Sequence, residues 1–227
     1  MKNLFVVALA FLTAVALASP AALIDEGRFQ EAYQEALGLG TPEGYALAAK
    51  AASYFAGYKA TTDKDKEAWY TKAEQAAKKA IEADPNYPEG YFELARAQGR
   101  LAQFRGILAS LNLASSVRDN LKKTLELDPN HDSAMVALAI WNLELAQKGV
   151  GWMYGASIKR VEPLFQKAIA LNPTAIAHRL EYGSALIRLK KPDAARAQLE
   201  KALELPAKTW VDRADQEKAR KLLAELR

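Results

Sequence analysis

Apolar and polar residues follow one another along this chain with the period of an amphipathic helix rather than with the strict alternation of a strand. A proline turn interrupts the pattern four times, in segments of similar sequence. The segments are IEADPN at 81–86, LELDPN at 125–130, IALNPT at 169–174 and LELPA at 203–207. Each proline ends one helical run and precedes another, because proline cannot continue a helix but suits the opening of the next one. The pattern therefore predicts an all-α fold built from helix–turn–helix units.

Small residues recur at fixed places in these units. In the last unit these places are Gly183, after Tyr182, in the first helix, and the small-large-small set Ala195, Leu199 and Ala202 in the second. Earlier units hold Leu94-Ala95 with Ala73, Ala77 and Ala80, then Leu138-Ala139 with Val117, Leu121 and Thr124, then Val161, Phe165 and Ala168. Helices that cross at 8–10 Å leave little space beyond a methyl group at the crossing. The units therefore resemble the tetratricopeptide repeat (TPR), and the resemblance implies a right-handed superhelix of stacked hairpins.

This resemblance divides the chain into a repeat domain, 19–227, behind an N-terminal segment. The domain is expected to contain a half unit at 22–38, units at 43–85, 86–129, 130–173 and 174–206, and a capping helix at 209–227. Leu222, Leu223 and Leu226 share one face of that last helix and would cover the exposed apolar side of the final unit.

The spacing of the prolines is longer than a 34-residue unit in the middle of the chain. We expect the surplus to lie between the two helices of units two and three, as apolar insertions at 104–115 and 149–157. Apolar insertions are unfavourable in water, so they either fill the groove of the superhelix or form a binding surface. With the ending of the chain, this pattern is similar to the TPR-like domain of the regulator of microtubule dynamics proteins and their bacterial relatives. It is more distantly similar to the T component of TRAP transporters.

The N-terminus has the pattern of a signal peptide, 1–18. Lys2 precedes a nearly uninterrupted apolar run at 4–18, and Ala16-Leu17-Ala18 supplies the small residues of a cleavage site. We predict cleavage after Ala18 and export to the periplasm or the medium. The alternative is a membrane anchor formed by an uncleaved segment, because the apolar stretch could reach about 20 residues, roughly the width of a bilayer.

Composition excludes several kinds of site. The 227 residues include no Cys and two His, which removes disulfides, thiolate metal sites and cysteine nucleophiles. His131 is expected at a solvated turn and His178 as a packing or surface residue, with no triad or metal partner near either. The net charge of +4 arises from 31 basic and 27 acidic residues, so the basic pairs are expected to be balanced. We predict no catalysis, no cofactor, no metal and no nucleic-acid partner.

In TPR-like superhelices the first helices line a concave face, where partners bind. Alignment of the units places ten candidate binding residues there: Lys50, Tyr54, Phe92, Arg96, Arg100, Ile140, Leu143, Leu180, Ile187 and Arg188. The first half of this set is basic and aromatic and the second half mostly apolar, which suits a peptide or a small amphiphile with a carboxylate. Equally, the apolar half could be core.

Two functions are compatible with these features. The first is an exported, non-enzymatic scaffold that binds proteins or peptides in the cell envelope. The second is an accessory protein that binds a small apolar acid or peptide, for example in the service of a solute transporter. The sequence does not name the partner or the oligomeric state.

Overall fold

The computed structural model describes residues 18–104 and 107–226, except for the side chains of 107–111. The predicted signal peptide therefore lies outside the described residues, apart from Ala18. The described part is all-α, as predicted, and contains twelve α-helices. They are α1 (Pro20–Asp25), α2 (Phe29–Gly38), α3 (Pro42–Tyr54), α4 (Asp63–Ala83), α5 (Pro88–Leu101), α6 (Ile107–Leu127), α7 (Asp132–Gln147), α8 (Gly151–Tyr154), α9 (Val161–Leu171), α10 (Ile176–Arg188), α11 (Pro192–Glu204) and α12 (Trp210–Glu225).

Two short segments extend these helices. A π-helical segment, Phe55–Lys59, continues α3, and a 3₁₀ turn, Ile158–Arg160, leads into α9. Among the helices that the structure describes, none is long and apolar enough to cross a membrane.

The recurring proline turns form the helix boundaries. In the first two turns the aspartate side chain accepts a hydrogen bond from the backbone N–H two residues later, from Asn86 to Asp84 at 2.8 Å and from Asn130 to Asp128 at 3.0 Å. This Asx arrangement stabilises the turn that proline opens. Proline then occupies the first turn of α1, α3, α5 and α11, where its missing N–H costs nothing.

Consecutive helices pack as antiparallel hairpins, α3 with α4, α5 with α6, α7 with α9 and α10 with α11, and each hairpin contacts the next. The small residues predicted at the crossings lie there. A Cβ atom on Gly183 would come within 2.7 Å of the Leu199 side chain, and one on Gly44 within 2.7 Å of the Ala36 carbonyl oxygen. Larger residues at these two positions would force the helices apart, because interiors are close-packed.

The insertion predicted at 104–115 is not a connection between helices. Helix α6 begins at Ile107, so most of that segment forms the first turns of the second helix, and Leu113 is buried against Leu101 and Tyr70. The surplus residues therefore lengthen the backbone of α6 instead of forming a loop. The second surplus segment, 149–157, does lie between two helices and contains the single turn of α8.

Helix α12 packs on α10 and α11 through Leu222, Leu223 and Leu226. Its first turn also reaches the opposite end of the array, where Trp210 and Val211 join a core with Leu23 and Phe29. The first and last helical elements of the described chain therefore contact each other, a closure that the proline spacing did not indicate.

Candidate functional site

The ten predicted binding residues lie on α3, α5, α7 and α10, and the structure separates them into two groups. Tyr54, Phe92 and Arg96 are neighbours, with the Arg96 guanidinium 4.9 Å from the Tyr54 ring centre and 5.3 Å from that of Phe92. The Lys50 ammonium lies 5.8 Å from the centre of the Tyr54 ring.

The apolar members of the set belong mainly to the core. Leu143 is buried in one cluster, against which Ile140 and Ile187 pack, and Leu180 is buried in the cluster beneath α12. This part of the concave face is core, one of the two possibilities that the sequence left open.

Arg96 already has an acidic partner within the chain. Its Nη2 donates a hydrogen bond of 2.6 Å to Glu93, one turn earlier on α5, whose side chain has no exposed surface. Burial raises the pKa of the Glu93 carboxyl to about 7, although the positive charge of Arg96 opposes this effect. The pair is thus largely removed from water, and the side chain expected to bind an external carboxylate binds an internal one.

The other bases of the concave face are also opposed by acids. The Arg188 guanidinium contacts the Glu144 carboxylate at 2.6 Å across the α10–α7 boundary. Burial raises the pKa of Glu181 on α10, and the positive charge of Arg100 counteracts that rise. Acidic side chains of the described residues therefore neutralise much of the positive charge that we expected to bind a ligand.

His131 is not solvated, contrary to the expectation from its turn. Its Nδ1 accepts a hydrogen bond from the Ala134 N–H and caps α7, while Nε2 lies 2.9 Å from the Glu89 carboxylate. Burial lowers the pKa of His131, but the hydrogen bond and charge of Glu89 outweigh burial and leave the pKa raised. His178 is buried as a packing residue, 3.1 Å from Asp132. Both histidines have structural contacts that account for their positions.

The insertion at 149–157, predicted to fill the groove or to form a binding surface, belongs to the segment between α7 and α9, residues 148–160, which we name the α8 loop. Gly149 and Gly155 have φ angles of 74° and 70°, which place helix breaks on both sides of the single turn of α8. Trp152 is 82% exposed, Met153 56% and Ile158 42%. The described part of the chain has five exposed large apolar side chains, and these three belong to the α8 loop.

A cleft of about 540 Å³ adjoins this loop, and we name it the basic cleft. It exists because α9 has 11 residues where α4 and α6 have 21, so the second helix of this hairpin is shorter by about 15 Å at 1.5 Å per residue. Four basic side chains surround the cleft and no acidic one lines it. Its lining is Arg118, Lys122, Leu138, Trp141, Asn142, Tyr154, Gly155, Lys159, Arg160, Pro163 and Leu164.

The basic cleft brings together bases that the count over the whole chain did not place near one another. Lys122 on α6 and Lys159-Arg160 before α9 are far apart in sequence, and the hairpin brings them to one cleft. The signal available in the sequence was the insertion at 149–157, whose glycines shorten the following helix.

Comparison with known proteins places this architecture in a family. The family model of regulator of microtubule dynamics protein 1-3 matches residues 28–227, most of the chain. The chain belongs to this family. Among solved structures, a thermophilic TPR protein of Thermus thermophilus is similar with a TM-score of 0.67 and 19% sequence identity, over 89% of this chain and 95% of that one. No curated protein matches.

The structural likeness confirms the TPR-like fold of this family member. Within residues 18–104 and 107–226, no group of three or more metal-ligating side chains comes together. The described surface presents exposed aromatic and aliphatic side chains on the α8 loop and four basic side chains around the basic cleft.

Proposed function

We propose that this member of the family is an exported, non-enzymatic scaffold that binds a partner protein through the α8 loop. The observation that carries the proposal is the exposure of Trp152 and Met153 on a single helical turn, which lies between the two helices of the α7–α9 hairpin. Trp and Met are enriched at protein interfaces, and Trp in particular often contributes a large part of the binding energy. A partner with apolar side chains would remove this surface from water.

The rigid attachment of the loop supports this role. The Asn142 side chain of α7 is buried, and its Oδ1 accepts a hydrogen bond of 2.8 Å from the Ser157 N–H, while its Nδ2 donates one of 2.8 Å to the Leu138 carbonyl. The Arg160 guanidinium donates to the Gly155 carbonyl at 3.0 Å. A loop ordered before binding loses less conformational entropy when the partner arrives.

Export rests on the apolar segment at 4–18 and on the small residues that end it. A partner would then be another protein of the cell envelope or the medium.

The test is a partner-capture experiment with matched variants. The exported protein is immobilised and exposed to an envelope extract, and the retained proteins are compared between the parent and Trp152→Ser/Met153→Ser. The control is Leu39→Ser/Leu171→Ser, which removes two exposed apolar side chains elsewhere. We expect the α8 variant alone to lose specific partners. Equal capture by all three proteins would contradict the proposal.

A further inference from the structure

We propose that the basic cleft binds an acidic segment of the partner protein, one whose carboxylates alternate with apolar side chains. This inference rests on the proposed scaffold function and names the chemistry of the partner. It starts from an electrostatic difference between the basic cleft and the concave face.

On the concave face, Arg96 and Arg188 each form an ion pair with an acid of this chain. In the basic cleft, one of the four bases, Arg118, forms such a pair with a described residue. Lys159 makes no ion pair with a described residue, and Lys122 lies near the exposed Asp119 without forming an ion pair with it. Asp119 itself is held 2.8 Å from Arg118. One exposed acid beside four bases leaves a local excess of positive charge, which attracts a multiply charged anion.

The arginines of the basic cleft are also positioned before any ligand binds. Arg118 donates to the Tyr154 carbonyl at 3.3 Å, and Arg160 donates to the Gly155 carbonyl at 3.0 Å. Each guanidinium has five N–H donors in a planar fork, so donors remain that suit a carboxylate. These contacts fix the two guanidinium groups against the same stretch of backbone.

The floor of the cleft gives the second half of the recognition. Leu138, Trp141, Pro163 and Leu164 line it, and the Trp141 ring is fixed by a hydrogen bond of 2.9 Å from its Nε1 to the Ala114 carbonyl. An inorganic anion would neutralise the rim but leave this apolar floor in water. A peptide with acids on either side of an apolar residue covers both, and 540 Å³ lies within the range of small recognition sites.

The rest of the surface favours a protein over a nucleic acid. The chain carries 27 acidic residues against 31 basic ones, a small overall excess of positive charge for a protein that would bind a phosphate backbone. Residues of the α8 loop line the cleft, and Trp152 lies on the same loop. One protein partner can therefore cover the cleft and Trp152 together.

The experiment is a selection of random 16-residue peptides displayed on phage against the exported protein. We expect the enriched peptides to carry Asp or Glu next to Leu, Phe or Trp. The affinity of a synthetic selected peptide should fall at least tenfold in Lys122→Ala/Lys159→Ala and should also fall as salt is raised from 50 to 300 mM, since exposed charges are screened. The control Lys64→Ala/Lys208→Ala removes the same charge from exposed positions outside the cleft and should retain binding.

Three results would overturn the inference: enrichment of neutral or basic peptides, equal peptide affinity in the two double variants, or a dissociation constant below 1 mM for inorganic phosphate without any acidic peptides in the selection. The last result would assign the cleft to a small anion. If Trp152→Ser/Met153→Ser loses partners in the capture experiment while Lys122→Ala/Lys159→Ala keeps them, the scaffold function stands and the acidic-segment proposal alone fails.

Discussion

Trp210 joins the two ends of the array, so its replacement by alanine measures what that closure contributes to stability. The Trp210 ring is 5.5 Å from the Phe29 ring and 5.9 Å from the Tyr58 ring, both edge to face, and the Lys59 ammonium lies 3.9 Å from its centre. Gly27 is so close that an added Cβ would come within 2.5 Å of the indole. Trp210 therefore fills a space bounded by the N-terminal elements.

These contacts set the size of the effect. Each aromatic pair contributes about 0.5–1.5 kcal/mol beyond burial, and the cation–π contact about 0.5–1 kcal/mol. Because the indole is only partly buried, we take the low end of the usual cost of Trp→Ala, about 3 kcal/mol. For a domain of this size, that corresponds to a decrease in Tm of about 6–12 °C.

The assay is thermal unfolding followed by far-ultraviolet circular dichroism, with Trp152→Ala as the matched control. Trp152 is largely exposed, so its replacement should change stability by no more than about 0.5 kcal/mol. Hydrogen exchange should also be faster in α2 and α3 of Trp210→Ala, although these helices are remote in sequence. Equal melting of the two variants, or unchanged exchange in α2 and α3, would refute the closure.

The buried pair and the N-terminus lead to three further predictions. Arg96→Ala should destabilise the protein by about 3 kcal/mol above pH 7 in urea unfolding, because it leaves the Glu93 charge buried and unpaired; unchanged stability would contradict this. Glu93 keeps its proton in the folded state up to a pKa of about 7, whereas the unfolded chain releases it near 4.5, so its contribution to stability should fall as pH rises between these values. Glu93→Gln should flatten that dependence, and an unchanged pH profile would exclude Glu93 as its source. The intact mass of the exported protein should correspond to a chain that begins at Ser19, whereas a membrane-retained species that starts at Met1 would favour the anchor.

The fold could be predicted from the sequence because the features that indicate it are local and recur in each repeat. Proline turns mark the helix boundaries, and small residues such as Gly183 mark the crossings, so both could be placed from the sequence alone. Apolar periodicity could not distinguish a packed loop from additional helical turns, which is why 104–115 was assigned to a connection although it belongs mostly to α6.

The candidate surfaces depend on contacts between distant segments, and these are not visible in a single sequence. The spacing of Glu93 and Arg96 on α5 permits their ion pair, whereas the contact of Arg96 with the Tyr54 ring depends on how α3 packs against α5. The meeting of Lys122 with Lys159 requires knowledge of where α9 begins. To predict the contact of Trp210 with Phe29, one would have to know the curvature of the whole array.

The short second helix of the third hairpin has a consequence for how recognition sites can arise in repeat proteins. The basic cleft lies where α9 is about three turns shorter than α6. Helices α6 and α7 still pack beside the space that those turns would fill. A glycine-bounded loop that takes the place of helical turns can thus open a site without a new domain. The same operation could be transferred by design to α4 or α6, where a glycine-bounded loop would open a second cleft whose specificity is set by the side chains already beneath it.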